Sequence, residues 1–397
     1  MGLETCDLAQ ALPRERRETL GELGGAVDDL ADAVGAAIRA GKSTPPAPNP
    51  AADLERALGR ELVQKIPPAA RPTVSLCGAC RANALRAARQ GRHRDAAGWL
   101  DLPPRIMVML NLPAGAALAQ ASQQAAGRAY VAYKRGDPDE AEHQLTLGTL
   151  ADAELSGAHG WRAAELHRLH LEVNRSRVRR AAGRLAGAVI VAAAVLERLA
   201  GDPSSLPPTG WPAPALNEIS TLGLAVIEGK ATEEVALALT SVRRDDRAAL
   251  FMHLNRYLDR LGVVRRSRSQ VWLAAQRQLV CGDVHGFLRS MCPFLAEGPG
   301  FDARLWTLAV ADVAELAKSG SVLRTAALAA ALDEAAVGRP NSPRHQPARR
   351  GVATLEEIRD RVALVEHRWR TDSAFRTTVR ADPGGTLKEA RLDATGW

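Results

Sequence analysis

The turn at Gly136-Asp137-Pro138 is the feature that most restricts how this chain can fold. A Lys-Arg pair precedes it, and cations suit the C-terminal end of a helix. Glycine can take the left-handed conformation that ends a helix, aspartate can cap the next helix, and proline fits that helix's first position. The sequence therefore predicts a tight helical hairpin at this turn, within a stretch of four helices that covers residues 116–199.

The helix before the turn carries mostly small apolar residues at helical spacing. Side chains three and four positions apart share one face of a helix, and small ones let a neighbouring helix approach closely. The predicted stripe consists of Leu118, Ala121, Ala125, Ala129 and Ala132-Tyr133.

The ten residues from Ala132 to Ala141 resemble the turn of a tetratricopeptide repeat. In that repeat a Gly-Asp turn precedes an acidic pair and a small residue that packs against the first helix. The resemblance implies tetratricopeptide-like hairpins over residues 116–156. Further helix-glycine-helix units are predicted at Gly91, Gly229 and Gly282, but their uneven spacing favours irregularly stacked hairpins over a regular solenoid.

The composition favours an all-α architecture. Hydrophobic residues make up 46% of the 397 residues and aromatic residues only 4%. Alanine and leucine, which favour helix, fill the difference. The clearest strand-like patch is the short Thr73–Leu76. We therefore predict irregularly stacked hairpins or a helical bundle, with a small C-terminal helical module.

Proline-rich segments divide the chain into predicted regions. The chain is long enough for two or three domains. The predicted regions are an N-terminal helical segment (1–40), a linker (41–52), a helical domain with the tetratricopeptide-like hairpins (53–200), a linker (201–215), a second helical domain (216–337), a linker (338–350) and a leader-like helical tail (351–397).

Charge and hydropathy exclude some classes of protein. The net charge is +7, but both signs are mixed along the chain. Five cysteines do not indicate a disulfide framework, and the first twelve residues lack the pattern of a secretory signal. The apolar run Leu185–Leu196 is too short to span a bilayer and is typical of a buried helix. We expect a cytoplasmic protein with no membrane partner.

Cys77-Gly78-Ala79-Cys80 is the most chemically suggestive motif. At the start of a helix, its thiols would have a lowered pKa and could act in redox chemistry. With His93, Cys77 and Cys80 have the Cys-Cys-His order of a zinc site, which would need a fourth ligand from elsewhere. Two ordinary cysteines are the third interpretation. The sequence requires no cofactor, and zinc is the cofactor that this motif would allow.

A second set of possible metal ligands lies in the central helices. Glu140 and His143 form a Glu-x-x-His pair on one helix face, and His167 and His170 lie on the following helix. Di-iron bundles use two Glu-x-x-His pairs on facing helices. Because the second pair is missing here, polar helix faces explain these residues more simply.

Residues 216–337 contain apolar and aromatic side chains at helical spacing. Such a pattern is more typical of a core than of a ligand pocket. The predicted core residues are Leu222, Val226, Val235, Leu239, Leu250, Leu254, Leu258 and Leu261, with Phe251, Tyr257, Trp272, Phe287, Phe294, Phe301 and Trp306.

The C-terminal segment 362–390 has a regular arrangement of caps and apolar residues. Asp372 can cap a helix with Phe375 and Val379 on one stripe, and Asp382-Pro383 can begin a short last helix. The segment resembles the leader region shared by nitrile hydratase alpha subunits and precursors of modified peptides. The resemblance implies a docking element for a partner, formed by Trp369, Asp372, Phe375, Arg376, Asp382, Pro383 and Leu387.

The chain departs from both families that share this leader region. Nitrile hydratase needs three clustered cysteines, which the motif at residues 77–80 does not supply, so that enzyme is excluded. Only about a dozen residues follow Gly384-Gly385, too few for a peptide precursor. The remaining prediction is a leader-like tail that binds a partner. Its removal should leave the helicity of the rest of the fold intact.

Three functions are compatible with the sequence. The preferred one is a non-catalytic helical scaffold that binds a protein or peptide partner, in a peptide-maturation pathway if the leader resemblance holds. The second is a nucleic-acid-associated protein that uses the arginine-rich segments 162–184, 243–268 and 339–380. The third is a metal-dependent enzyme that uses either set of candidate ligands.

Overall fold

The computed structural model describes residues 30–44, 64–110, 112–243, 246–260, 267–299, 303–319, 325–337 and 354–392. Every regular element in these ranges is a helix, which confirms the all-α prediction. The α-helices are α1 Leu30–Lys42, α2 Arg71–Arg89, α3 His93–Leu100, α4 Leu102–Leu110, α5 Ala114–Arg135, α6 Pro138–Ala158, α7 Ala163–Ala181, α8 Leu185–Leu199, α9 Thr221–Thr240, α10 Arg247–Phe251, α11 Asn255–Arg260, α12 Arg268–Val280, α13 Val284–Ala296, α14 Ala303–Lys318, α15 Ala326–Val337, α16 Leu355–Thr371, α17 Ser373–Ala381 and α18 Pro383–Glu389.

The chain forms two compact units, each built from three segments. The first comprises residues 1–53, 184–206 and 222–344, and the second comprises 54–183, 207–221 and 345–397. This differs from the predicted regions, which were continuous in sequence and placed α8 in the domain 53–200. The sequence gives little sign of the division between α7 and α8, because a short turn at Gly183 joins the two helices without a proline.

The hairpin of α5 and α6 in the second unit has the predicted turn. Gly136 ends α5 with a φ of 83°, in the left-handed region. The Asp137 side chain accepts a hydrogen bond from the Glu140 amide at 3.1 Å, and Pro138 is the first residue of α6. Each cap therefore does what its residue type predicts.

Small residues allow the helices of the second unit to approach closely. A Cβ atom added at Gly148 would lie 2.7 Å from Leu171 Cδ1, and one at Gly127 would lie 3.0 Å from Leu100 Cδ2. Ala125, Ala129 and Ala132 of the predicted stripe are buried, although Ala121 is exposed. Except at Ala121, the stripe therefore packs against neighbouring helices as predicted.

The C-terminal helices α16 to α18 pack on α2, α3 and α4 in the second unit. Arg105 on α4 donates from Nε and Nη2 to both carboxylate oxygens of Glu366 on α16, at 2.7 and 2.6 Å. The shared apolar cluster includes Leu76, Cys80, Ala84, Trp99, Leu100, Ile106, Ile358, Val362, Phe375, Val379, Leu387 and Leu392. The predicted independent tail is therefore wrong: the module completes the core of a unit.

Two local predictions are also wrong. Thr73–Leu76 lies inside α2, because Pro72 in the first turn favours the start of a helix and burial outweighs local strand propensity. Gly229 lies inside α9, where it is buried, and does not end a helix. Gly91 and Gly282 do end helices, with φ values of 75° and 82°.

The first unit contains the predicted aromatic core. The large side chains Tyr257, Trp272, Phe287 and Phe294 are fully buried. Leu222 is 46% exposed, so its assignment to the core is wrong. Leu261 and Phe301 lie outside the described residues, as do the predicted linker 338–350, the helical segment before residue 30 and most of the linker 41–52.

The loop from Gly201 to Ala215 is free of helix, as its prolines predict. The apolar run at 185–196 lies in α8 and is largely buried. Within the described ranges, no helix is both long enough and apolar enough to cross a membrane.

Candidate functional site

The Cys-x-x-Cys motif lies in the interior of α2 instead of at its start. Both Cys77 and Cys80 are fully buried. Burial raises the pKa of the Cys77 thiol to about 12 and also raises that of Cys80. The lowered pKa that a helix start would give is therefore wrong, because α2 begins at Arg71 and Cys77 lies beyond its first turn.

His93 lies far from this motif. Nine residues of α2 separate Cys80 from the helix end at Arg89, which corresponds to about 14 Å along the helix axis. His93 begins α3 beyond that end. Throughout the described residues, no group of three or more His, Cys, Asp or Glu side chains is placed to hold a metal ion. The structure therefore does not assemble Cys77, Cys80 and His93 into the predicted zinc site.

The burial of these thiols predicts a clear order of reactivity. In the native protein at pH 8 we expect iodoacetamide to modify the exposed Cys281 roughly tenfold or more faster than Cys77 and Cys80. A raised pKa keeps the Cys77 thiol protonated until the pH approaches 12, so this protection persists at pH 9 to 10. Quantitative peptide mass spectrometry measures each rate. Protein unfolded in urea is the control, and equal native rates would contradict the burial.

The second predicted metal set is also not assembled. Glu140 and His143 lie in the first turns of α6, where Glu140 accepts a hydrogen bond from Gln144 at 2.9 Å. His167 on α7 pairs with Asp152, nine residues beyond His143 or about 14 Å along α6. His170 lies one turn after His167 on α7. The antiparallel packing of α6 and α7 thus separates these imidazoles.

His167 instead forms part of a polar cluster that joins α5, α6 and α7. Its Nδ1 lies 2.8 Å from Asp152 Oδ2 and 3.1 Å from Ser122 Oγ. Its Nε2 lies 3.2 Å from the Gln123 side-chain amide. Nδ1 therefore faces an acceptor in the Asp152 carboxylate, and Nε2 faces a donor in the Gln123 amide.

This arrangement resembles a Ser-His-Asp triad in composition but not in geometry. In a triad the serine bonds one imidazole nitrogen and the aspartate orients the ring through the other. Here Ser122 and Asp152 both face Nδ1, while the amide of Gln123 occupies Nε2. The cluster therefore fixes the helices relative to one another and leaves no base facing a nucleophile.

The residues of the predicted C-terminal docking element have structural roles inside the second unit. Phe375 and Leu387 are buried in the apolar cluster. The Asp372 and Asp382 carboxylates cap α17 and α18, accepting from Phe375 N at 2.9 Å and Gly385 N at 2.8 Å. Pro383 is the first residue of α18. The remaining members, Trp369 and Arg376, are linked by a hydrogen bond from Arg376 Nη1 to the Trp369 carbonyl at 2.9 Å. The predicted apolar stripe is therefore not available to a partner.

The arginine-rich segments form many internal contacts. In the third segment, Arg368 lies 4.0 Å from the centre of the Phe375 ring, and Arg380 lies 5.6 Å from that of Trp369. The ion pairs of the first two segments include Arg168 with Glu165, Arg175 with Glu172, Arg179 with Glu142, Arg247 with Asp312, Arg256 and Arg260 with Asp202, and Arg268 with Glu297. Carboxylates of the protein itself therefore compensate much of the charge that a phosphate backbone would need.

The outer face of α6 carries exposed apolar side chains that sequence inspection overlooked. Leu147 and Leu150 are 44% and 43% exposed. Trp211, 43% exposed, packs on Gly157, where an added Cβ would lie 2.9 Å from Trp211 Cβ. At 3.6 residues per turn, positions 147, 150 and 157 fall within an arc of about 80° on one helix face. We call Leu147, Leu150 and Trp211 the α6 strip.

The signal for this strip was present but ambiguous. Leu145, Leu147, Leu150 and Leu155 are all apolar residues of α6, yet Leu145 and Leu155 are buried and the other two are not. Apolar residues on both faces of a helix indicate burial or an additional contact without distinguishing them. Trp211 joins the strip from a distant loop, which periodicity cannot predict.

Comparisons with known proteins add no family for this chain. It matches no family model, no curated protein and no solved structure. The tetratricopeptide and leader-region resemblances therefore stay predictions from short stretches of sequence.

Proposed function

We propose that this protein is a non-catalytic helical interaction protein that binds a partner protein through the α6 strip. The observation that carries the proposal is the alignment of three large apolar side chains, each more than two-fifths exposed, on one face of α6. Large apolar side chains grouped on a surface mark interaction sites more often than isolated ones do.

The dimensions of the α6 strip fit an amphipathic helix of the partner. From Leu147 to the position of Trp211 at Gly157 the strip is about 15 Å long. Apolar side chains at positions i, i+3 or i+4, i+7 and i+11 of a partner helix cover about 16 Å. His143 and Glu154 lie on the same face and can contribute polar contacts at its edges.

A scaffold fits the remaining sites better than an enzyme does. The ring nitrogens of His167 are both engaged by neighbouring side chains. Burial with a raised pKa makes the Cys77 and Cys80 thiols poor nucleophiles. Nucleic-acid binding through the arginine-rich segments is less favoured, because so many of their cations face carboxylates. A role in peptide maturation would now have to use the α6 strip instead of the C-terminal stripe.

Site-specific photo-crosslinking tests the α6 strip. A benzophenone amino acid at position 150 is expected to give a discrete covalent adduct in cells that express the protein, with the adduct identified by mass spectrometry. The matched control is position 364, because Leu364 is also an exposed leucine of the second unit, at 62%, outside the strip. No adduct at 150, or the same adduct at both positions, would refute the proposal.

The identified protein can then be purified for direct binding measurements. We expect the double variant Leu147→Ser/Leu150→Ser to raise the Kd roughly tenfold or more, since both leucines would lie in the interface. Its free energy of unfolding should change by less than about 0.5 kcal/mol per site, because both side chains are exposed. An unchanged Kd would assign binding to another surface.

A further inference from the structure

A second surface of the same unit combines two tyrosines with two cations. The Arg89 guanidinium lies 5.9 Å from the centre of the Tyr130 ring. The Lys134 ammonium lies 5.6 Å from the Tyr130 ring centre and 5.7 Å from that of Tyr133. The two ring centres are 6.5 Å apart. Residues at the C-terminal ends of α2 and α5 therefore form one continuous group.

The packing of α2 and α5 explains why these residues meet. Ala70, just before α2, and Ala116, at the start of α5, share one apolar cluster. Ala88, at the end of α2, shares another cluster with Val131, near the end of α5. The two helices therefore run in the same direction, and their basic last turns lie side by side.

Among the described residues, no carboxylate forms an ion pair with Arg89 or Lys134. Nearby cations differ: Arg92 pairs with Asp95 at 2.5 Å, and Arg135 pairs with Asp137 at 2.9 Å. The two helix ends contribute about half a negative elementary charge each. That offsets roughly half of the charge of the two cations, so a positive surplus remains at this surface.

We propose that Arg89, Tyr130, Tyr133 and Lys134 form a surface that binds acidic peptide segments. The guanidinium and the ammonium pair with the carboxylates of such a segment. Both tyrosine hydroxyls lack a hydrogen-bond partner in the described part of the chain and can donate to the same carboxylates. This surface is separate from the α6 strip and extends the proposed function to a second kind of contact.

The cation-ring contacts favour an acidic peptide over a single-stranded nucleic acid. Nucleic-acid bases bind such surfaces by stacking on open aromatic faces. Here Arg89 and Lys134 lie over Tyr130, and Lys134 also lies over Tyr133. A base would have to displace a cation before it could stack, whereas a carboxylate binds that cation where it stands.

Fluorescence anisotropy with the full-length chain tests this surface. The probe is a labelled ten-residue glutamate peptide at about 50 mM salt, where a Debye length near 13 Å leaves charge contacts effective. Arg89→Gln/Lys134→Gln is expected to weaken binding roughly tenfold or more. The control Arg370→Gln/Lys388→Gln removes the same net charge from α16 and α18 and should change the affinity less than about threefold.

Three further measurements make the outcome decisive. Thermal unfolding of both double variants checks that each one folds. Leu147→Ser/Leu150→Ser should leave affinity for the glutamate peptide unchanged, so failure of the α6 strip and failure of this surface are distinguishable. The third measurement is the binding of a ten-nucleotide oligothymidine. Any of three results would overturn the proposal: no peptide binding at about 1 mM, equal losses of peptide affinity in both charge variants, or tighter binding of the oligothymidine through Arg89 and Lys134.

Discussion

Removing residues 354–397 is expected to unfold the second unit of the protein instead of detaching an independent tail. The deletion takes away α16, α17 and α18 and exposes the apolar side chains of α2, α3 and α4 that they cover. It also removes Glu366, the carboxylate partner of Arg105. Circular dichroism and limited proteolysis measure the effect. We expect the second unit to lose most of its helical signal and the truncated chain to precipitate or become sensitive to protease.

Single substitutions in α16 separate the loss of packing from nonspecific effects of truncation. Ile358 is fully buried, and Ile358→Ala is expected to lower the free energy of unfolding by about 2–5 kcal/mol. Leu364→Ala, on the same helix at an exposed position, should change it by less than about 0.5 kcal/mol. Urea denaturation measures both. A truncated chain with native helicity and a mild effect of Ile358→Ala would restore the picture of an independent tail.

The C-terminal module shows how much of the fold could be predicted from the sequence. Asp372, Asp382 and Pro383 gave both helix starts, because caps act within one turn of chain. Phe375 and Val379 gave the apolar face, because helical periodicity is also local. What that face contacts is not encoded locally: its partners lie on α2 to α4, more than 250 residues earlier in the chain.

The candidate site repeats this division between local and distant information. His167 was recognised as a functional candidate, but its partner Asp152 lies fifteen residues away, and the register of α6 against α7 decides which polar residues meet. The same register places His143 about 14 Å from that pair along α6. The residue types therefore predicted a metal site, but the antiparallel packing of α6 and α7 keeps the predicted ligands apart.

Buried charge in the first unit is the other feature for which a large effect is expected. Arg247 on α10 and Asp312 on α14 are both buried, and Arg247 Nη1 donates to Asp312 Oδ1 at 2.9 Å. Gln276 on α12 donates to the second carboxylate oxygen at 2.7 Å. Burial raises the pKa of Asp312, and Arg247 opposes that rise. Three helices distant in sequence therefore meet at one buried carboxylate, and Arg247 and Gln276 both favour its ionised form.

Arg247→Met is expected to lower the free energy of unfolding at pH 7.5 by about 3–5 kcal/mol, because it leaves Asp312 buried without its cation. Arg243→Met is the control: Arg243 is 86% exposed and pairs with Asp246 on the surface, so a loss below about 1 kcal/mol is expected. Arg247 lowers the pKa of Asp312, so its removal raises that pKa further above the unfolded value. Protonation of Asp312 at lower pH therefore stabilises the variant more than the wild type, and the deficit of Arg247→Met should shrink at pH 5. Urea denaturation at both pH values measures these differences.

The double variant Arg247→Met/Asp312→Leu buries no unpaired charge. Its loss in the free energy of unfolding should therefore be smaller than the sum of the losses in the two single variants. Strict additivity and a pH-independent deficit would show that Arg247 stabilises the unit by packing alone.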